Sequence, residues 1–133
     1  MSTEPAEPVA VVTAFFKAME TLDYDTALSL ISTECEYTNI PMSTVRGPEG
    51  VRSVLEPFFA PTLSNEFNIL RSLAVGDTVF NERIDRHQLG PDRWAELPVA
   101  GVMEVRRGKI AVWRDYFDLA TLFRQWPELQ PAA

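Results

Sequence analysis

From residue 65 onward the chain is a succession of β-forming runs broken only by short turn signals. "NEFNILRSLAV" closes at Gly76-Asp77, "TVFNERIDRHQL" at Gly90-Pro91-Asp92 and "RWAELPVAGVMEV" at Arg106-Arg107-Gly108, after which "KIAVWRDYF" follows. β-Branched and aromatic side chains suit a pleated strand, and glycine-containing turns suit tight hairpins, so this half reads as an antiparallel meander. Such a sheet needs a cover on one face. The first half supplies it as helices. Val9, Val12, Phe15, Phe16 and Met19 recur at steps of three and four, one face of a helix over residues 7–21. Asp23 is placed to cap a second helix from Tyr24 to about Ile31, with Ala27, Leu28 and Ile31 inward. Gly47-Pro48 opens a third helix running to about Phe59, with Pro57 near its end. "CEYTNI", residues 35–40, reads as a short strand stopped by Pro41, and a last helix runs from about Asp118 to Trp126. Helices first and sheet second make an α+β domain, the helices covering one face of a curved sheet. Residues 1–133 form one domain in this reading, ordered over about 7–126, with loose tails at 1–6 and 128–133.

A net charge of −7 repels phosphate backbones and anionic lipid, which disfavours nucleic-acid and membrane-surface partners. No apolar run approaches a membrane span. The start "MSTEPAEP" lacks the basic and apolar parts of a signal peptide, so a cytoplasmic location is expected. One histidine and one cysteine exclude a multi-histidine metal site and an internal disulfide. No G-x-S-x-G, G-x-G-x-x-G or G-x-x-x-x-G-K occurs, which leaves a serine triad, a dinucleotide fold and a P-loop without support. The chemistry left is that of carboxylates, tyrosines, amides and arginines.

Strand side chains alternate, so Arg83, Asp85 and His87 share one face, as do Trp113, Asp115 and Phe117. Which residues of the third run join them depends on the hairpin at Arg107-Gly108. A one-residue bulge there places Leu97, Val99, Gly101 and Met103 on that face; a plain two-residue hairpin places Pro98, Ala100, Val102 and Glu104 there. The bulged register groups Leu, Val and Met with Trp and Phe on the covered side and is preferred. Arg83, Asp85 and Asp115 then point into an apolar interior, with Tyr37 and Asn39 if "EYTNI" lines the same cavity. Taken singly, each piece has an ordinary explanation: a solvated Arg-x-Asp pair, an Asp118 helix cap, a partly exposed histidine, an inert Cys35, aromatic core residues. Their coincidence on one face is the signal.

With these residues in view, the chain resembles the limonene-1,2-epoxide hydrolase family of the NTF2-like, SnoaL-like superfamily. Tyr37-Thr38-Asn39 is similar to that family's Tyr-x-Asn. Glu82-Arg83-Ile84-Asp85 is similar to its Arg-x-Asp strand, and Trp113-Arg114-Asp115-Tyr116-Phe117-Asp118 to its Trp-Arg-Asp-Tyr-Phe-Asp block, in the same order and at matching intervals. The resemblance implies a cone-shaped α+β fold, with helices packed on a strongly curved, mixed but mainly antiparallel sheet around a deep pocket. It implies a cofactor-independent enzyme that opens a small apolar epoxide with water in one step. In that scheme Asp115 is the general base, Tyr37 and Asn39 hold the water, Asp85 is the protonated general acid, and Arg83 lies between the aspartates. Phe16, Met19, Phe58, Leu97, Val99 and Phe117 match lining positions, and a homodimer is implied. Val102, Tyr116 and Ala100 beside Glu104 and Arg114 form a mixed outer face that suits such an interface.

Two buried carboxyls beside a single arginine disfavour double ionisation, which agrees with one acid and one base; the residues themselves leave open which aspartate keeps the proton. His87 stands where the family is apolar, and Thr62 and Ser64 stand where lining hydrophobes are expected, which points to a smaller, more polar or differently oriented substrate. His87 in the cavity is expected to titrate between about pH 5 and 8 and to depress activity on the acid side by its charge near Asp85. Two other functions fit the same fold: a ketosteroid-isomerase-like or polyketide-cyclase-like proton-transfer enzyme, and a non-catalytic binding module. The Tyr-x-Asn element favours the hydrolase, because an isomerase gains nothing from a fixed nucleophilic water.

Overall fold

The structure, a computed structural model, describes residues 7–130; the tails expected at 1–6 and at the last three positions fall outside them. Helix α1 (Pro8–Glu20) begins with Pro8 in its first turn, where the missing N–H costs nothing, and buries Val11, Val12, Phe15, Phe16 and Met19. Helix α2 (Tyr24–Ser29) is capped by Asp23, whose side chain accepts from the Thr26 N–H. Ile31, expected to end this helix, instead opens strand β1 (Ile31–Ile40). Then come β2 (Thr44–Arg46), α3 (Gly47–Phe59), β3 (Ser64–Val75), β4 (Thr78–Gly90), β5 (Arg93–Arg106), β6 (Lys109–Tyr116) and α4 (Leu119–Gln125). Asp118 caps α4.

The strands form one mixed sheet in the order β2-β1-β6-β5-β4-β3. β3 to β6 are the expected antiparallel meander. β1 joins its end parallel to β6, and β2 pairs antiparallel with β1. Both differences from expectation, the early start of β1 and the whole of β2, come from long-range pairing that local patterning does not encode. Helices α1 and α3 bury their apolar faces against the inner face of this curved sheet around Ile31, Tyr37, Met103, Ile110 and Trp113. A second cluster closes one end, where Leu122 and Trp126 meet Ala95, Leu97 and Val99. The chain is docked further than expected: Pro127–Leu129 is a 3-10 turn, Leu129 packs on the second cluster, and Arg93 holds Glu128 at 2.8 and 2.9 Å.

The β5–β6 register is the preferred one, but its bulge lies elsewhere than expected. Arg107 and Gly108 have φ of 54° and 75° and connect the Arg106–Lys109 pair as a plain two-residue turn that needs positive φ. The extra residue is Ala111, between the pairs Val105–Ile110 and Glu104–Val112. It reverses the parity of everything after it, so Trp113 falls opposite Met103 and Asp115 opposite Gly101.

Candidate active site

Strict alternation along β4 turns Asn81, Arg83, Asp85 and His87 inward, all buried. Asn81, Gly101 and Asp115 lie in one row across β4, β5 and β6. Gly101 is the gap in that row. A methyl group there would lie 2.6 Å from Arg83 Nη1, 2.7 Å from Asn81 Oδ1 and 3.0 Å from Asp115 Oδ1, so the guanidinium occupies the space a side chain would take.

Arg83 is fully buried and uses all of its N–H groups. Nε donates to Asp85 Oδ1 at 3.0 Å and Nη2 to Asp85 Oδ2 at 3.1 Å. Nη1 and Nη2 donate to the two oxygens of Asp115 at 3.2 and 2.9 Å, and Nη1 donates to Asn81 Oδ1 at 2.9 Å. The guanidinium also lies 4.3 Å from the centre of the Phe16 ring, a favourable cation–π distance. Burial works against its charge, but Asp115 and Asp85 outweigh burial and hold it firmly protonated. For Asp85 the balance is reversed. Burial pushes its carboxyl above the ordinary aspartate range, Arg83 pulls it down, and the charge of Asp115 adds to the rise.

The parallel pairing of β1 with β6 brings the other polar groups in. Tyr37 falls opposite Trp113 and Asn39 opposite Asp115. The Tyr37 ring stacks on Trp113 at 4.0 Å, and the Trp113 indole donates to Asp115 Oδ1 at 2.9 Å. Asn39 Nδ2 donates to the Tyr37 hydroxyl oxygen at 2.8 Å, which leaves the Tyr37 O–H proton and the Asn39 carbonyl for another partner. Tyr37 remains a neutral phenol, its ionisation suppressed first by burial and then by Asp115.

Arg83, Asp85, Asp115, Tyr37 and Asn39 all border one cavity of about 70 Å³, several times the room of about 10–15 Å³ that a water needs. Phe16, Met19, Phe58, His87, Leu97, Val99 and Phe117 line the same cavity. Thr62 and Ser64 do not line it; Thr62 is turned towards Asn65 and the end of α3. The expectation for His87 is corrected in part. It faces the cavity but is 2% exposed, with Nδ1 2.7 Å from Asn65 Oδ1. Burial, then the positive charge of Arg83, depress it to about 4. It is therefore neutral across pH 5–8 and places no imidazolium beside Asp85.

Asn81 belongs to the arrangement and was not singled out from sequence, whereas Trp113 and Gly101 were placed on this face but given no part in the site. Asn81 was within reach, since it has the parity of Arg83 in "NERID". Its Nδ2 is buried without a partner among the described residues. Cys35 is buried, and burial pushes its thiol up to about 12, so it is unreactive. Among the described residues no group of three His, Cys, Asp or Glu side chains is placed to hold a metal ion, and none of the helices is long and apolar enough to cross a membrane.

A solved LEH-like epoxide hydrolase of Mycobacterium tuberculosis superposes with a TM-score of 0.78 at 31% identity, covering 91% of this chain and 90% of that one. A SnoaL-like polyketide cyclase fold from Shewanella putrefaciens (TM-score 0.79, 15% identity, 94% and 99% covered) is similar in fold alone. So is a protein of ketosteroid isomerase-like fold from Catenulispora acidiphila (0.78, 20%, 91% and 97%). In sequence, the epoxide hydrolase EphG of Mycobacterium tuberculosis is 34% identical over 113 residues, which is 85% of this chain and 74% of that relative. The profile of the limonene-1,2-epoxide hydrolase catalytic domain matches residues 6–128, a span that holds every polar residue of the cavity, and the chain accordingly belongs to the limonene-1,2-epoxide hydrolase family.

Proposed function

We propose that the protein adds water to a small, largely apolar epoxide to give a vicinal diol, in one step and without a cofactor. The observation that carries this reading is the sharing of one buried arginine by two aspartates. One cation neutralises one carboxylate, so the site is electrically neutral when the other aspartate keeps a proton.

The hydrogen bonds support a division of roles between the two aspartates. Asp115 receives three N–H donors, two from Arg83 and one from Trp113, which suits a carboxylate, an acceptor-only group. It is the general base. Asp85 receives two, and burial raises its proton affinity; it is the general acid. A water held by Asp115, the Tyr37 hydroxyl and the Asn39 carbonyl loses a proton to Asp115 as its oxygen attacks an epoxide carbon. The C–O bond at that carbon breaks, and its electron pair takes the Asp85 proton. Each proton transfer contributes about 10² to 10⁴ in rate. Arg83 balances both carboxyls as the charge passes from one to the other. An isomerase would need one base and a carbonyl-polarising donor, and would leave the Tyr37–Asn39 pair beside Asp115 without a task.

A single turnover in isotopically labelled water tests the reading. One-step attack puts the label in the diol at the first turnover. Unlabelled diol there would reveal an enzyme-bound ester instead, and no diol from a panel of cyclic and acyclic epoxides would remove the hydrolase assignment. The family also supports a homodimer, through the outer sheet face where exposed Leu73 and Phe80 lie in one cross-strand row with Val102. A monomer mass by light scattering at micromolar concentration would reject it.

A further inference from the structure

Beyond the reacting groups, the cavity wall is apolar except at His87, and hydrogen-bond logic fixes what that residue presents. The Thr62 hydroxyl oxygen lies 2.7 Å from the Phe59 carbonyl oxygen. A carbonyl has no proton, so the single proton of Thr62 lies between them. Thr62 is then an acceptor towards Asn65, at 2.8 Å, and the amide nitrogen of Asn65 faces it. That orientation turns the Asn65 carbonyl oxygen to His87 Nδ1 at 2.7 Å, so Nδ1 carries the hydrogen. A neutral imidazole has one N–H, and Nε2 is left with a bare lone pair. It has no hydrogen-bond partner among the described residues. Phe58, Phe59, Trp126 and Phe67 surround the ring, with centroids 5.4, 5.5, 6.0 and 6.1 Å away.

Resting on the hydrolase reading above, we infer that the substrate is an epoxide bearing a hydroxyl group remote from the ring, which donates a hydrogen bond to Nε2 of His87. The donor is neutral, because an ammonium would have to leave water for a wall of Phe58, Phe59, Phe67 and Trp126. It is remote because His87 follows the acid Asp85 by two residues on β4, a separation of roughly 7 Å along the strand. An epoxide with only hydrocarbon at this point would strand the lone pair in an apolar wall, a loss that corresponds to about tenfold or more in kcat/KM. The chain Phe59–Thr62–Asn65–His87 makes Asn65 a positioning residue that keeps the lone pair, and not the N–H, towards the cavity.

Three matched probes test this at neutral pH: an epoxyhexane with a terminal hydroxyl, the same epoxide without it, and its methyl ether. The hydroxyl compound should exceed both others by about tenfold or more, chiefly through KM. The ether accepts but does not donate, so it should group with the hydrocarbon. In His87→Leu the preference should collapse to near unity, and in Asn65→Ala it should weaken. Turnover of all three at equal kcat/KM overturns the inference and leaves the hydrolase reading standing, whereas turnover of none overturns both. Imidazole nitrogen NMR is independent of activity and of any variant. With one histidine in the chain the signal is unambiguous, and finding the proton on Nε2 would sink the proposal.

Discussion

Arg83 and Arg86 lie on the same strand, three residues apart, in different surroundings. Arg86 points outward and pairs with Glu66 at 2.6 Å and with Glu96 at 3.5 Å, its charge shared with water. Arg83 points inward, has no exposed surface, and pairs with two carboxyls that are nearly as buried. On both faces one arginine meets two carboxyls, glutamates outside and aspartates inside. What differs is whether water is there to take over when a partner is lost. On the outer face it is, and such pairs contribute little. On the inner face each partner is held by the others, and removing one strands a charge.

Breaking the inner cluster at its centre should show the contrast most strongly. Arg83→Ala is expected to abolish diol formation and to cost on the order of 3–5 kcal/mol in chemical denaturation; an unchanged midpoint would mean the aspartates do not depend on their cation. Asp85→Asn and Asp115→Asn should each lower kcat by at least ~10² while circular dichroism still reports the folded sheet. Near-parental turnover by either would remove that residue from the mechanism. Gly101→Ala tests the gap the arginine fills. Its methyl group collides with Arg83 Nη1, which should cost about 1–3 kcal/mol and lower turnover without removing any polar group. If both are unaffected, the guanidinium is not confined as described.

pH sharpens the comparison, because burial moves Asp85 and His87 away from their ordinary values, in opposite directions. Asp85 has a raised folded-state affinity for its proton. Above the ordinary aspartate value of 3.8 the folded chain therefore binds more protons than the unfolded chain, and stability declines as pH rises through the raised value. On the proposed mechanism turnover should fall over the same rise, as Asp85 loses its proton. His87 acts in the opposite sense. Its value drops from 6.5 to about 4, so its contribution is intact above pH 6.5 and is lost on acidification, with a full effect on the order of 3 kcal/mol. His87→Leu should flatten this acid-side loss in urea titrations at several pH values; an unaltered slope would mean the imidazole reaches solvent. The smallest effect is expected on the outer face. Arg86→Ala should leave turnover and melting temperature near those of the parent, and a large loss there would erase the distinction between the two faces.

Much of the site was legible from parity alone. Side chains of a strand alternate whatever the rest of the molecule does, so "NERIDRH" already committed Arg83, Asp85 and His87 to one side, with Asn81 beside them. The apolar spacing of α1 marked Phe16 and Met19 as inward residues in the same way. These are local statements, and local covalent geometry is enough to make them.

The meeting of the two aspartates was a different matter. It depends on Ala111, an extra residue in β6 that reverses the parity after it, and a tight turn at Arg107-Gly108 gives no sign of it. It depends also on β1 lying parallel to β6, which sets Asn39 beside Asp115 although 76 positions separate them in the chain. The protonation of His87 was misjudged for the same reason, since an isolated imidazole titrates near neutrality and only packing among Phe58, Phe59, Phe67 and Trp126 shuts it away from water. Residue identity and strand parity thus determined which groups could face inward. Which of them touch, and in what charge state, was decided by the fold, because register and burial are settled by the whole sheet closing on its core.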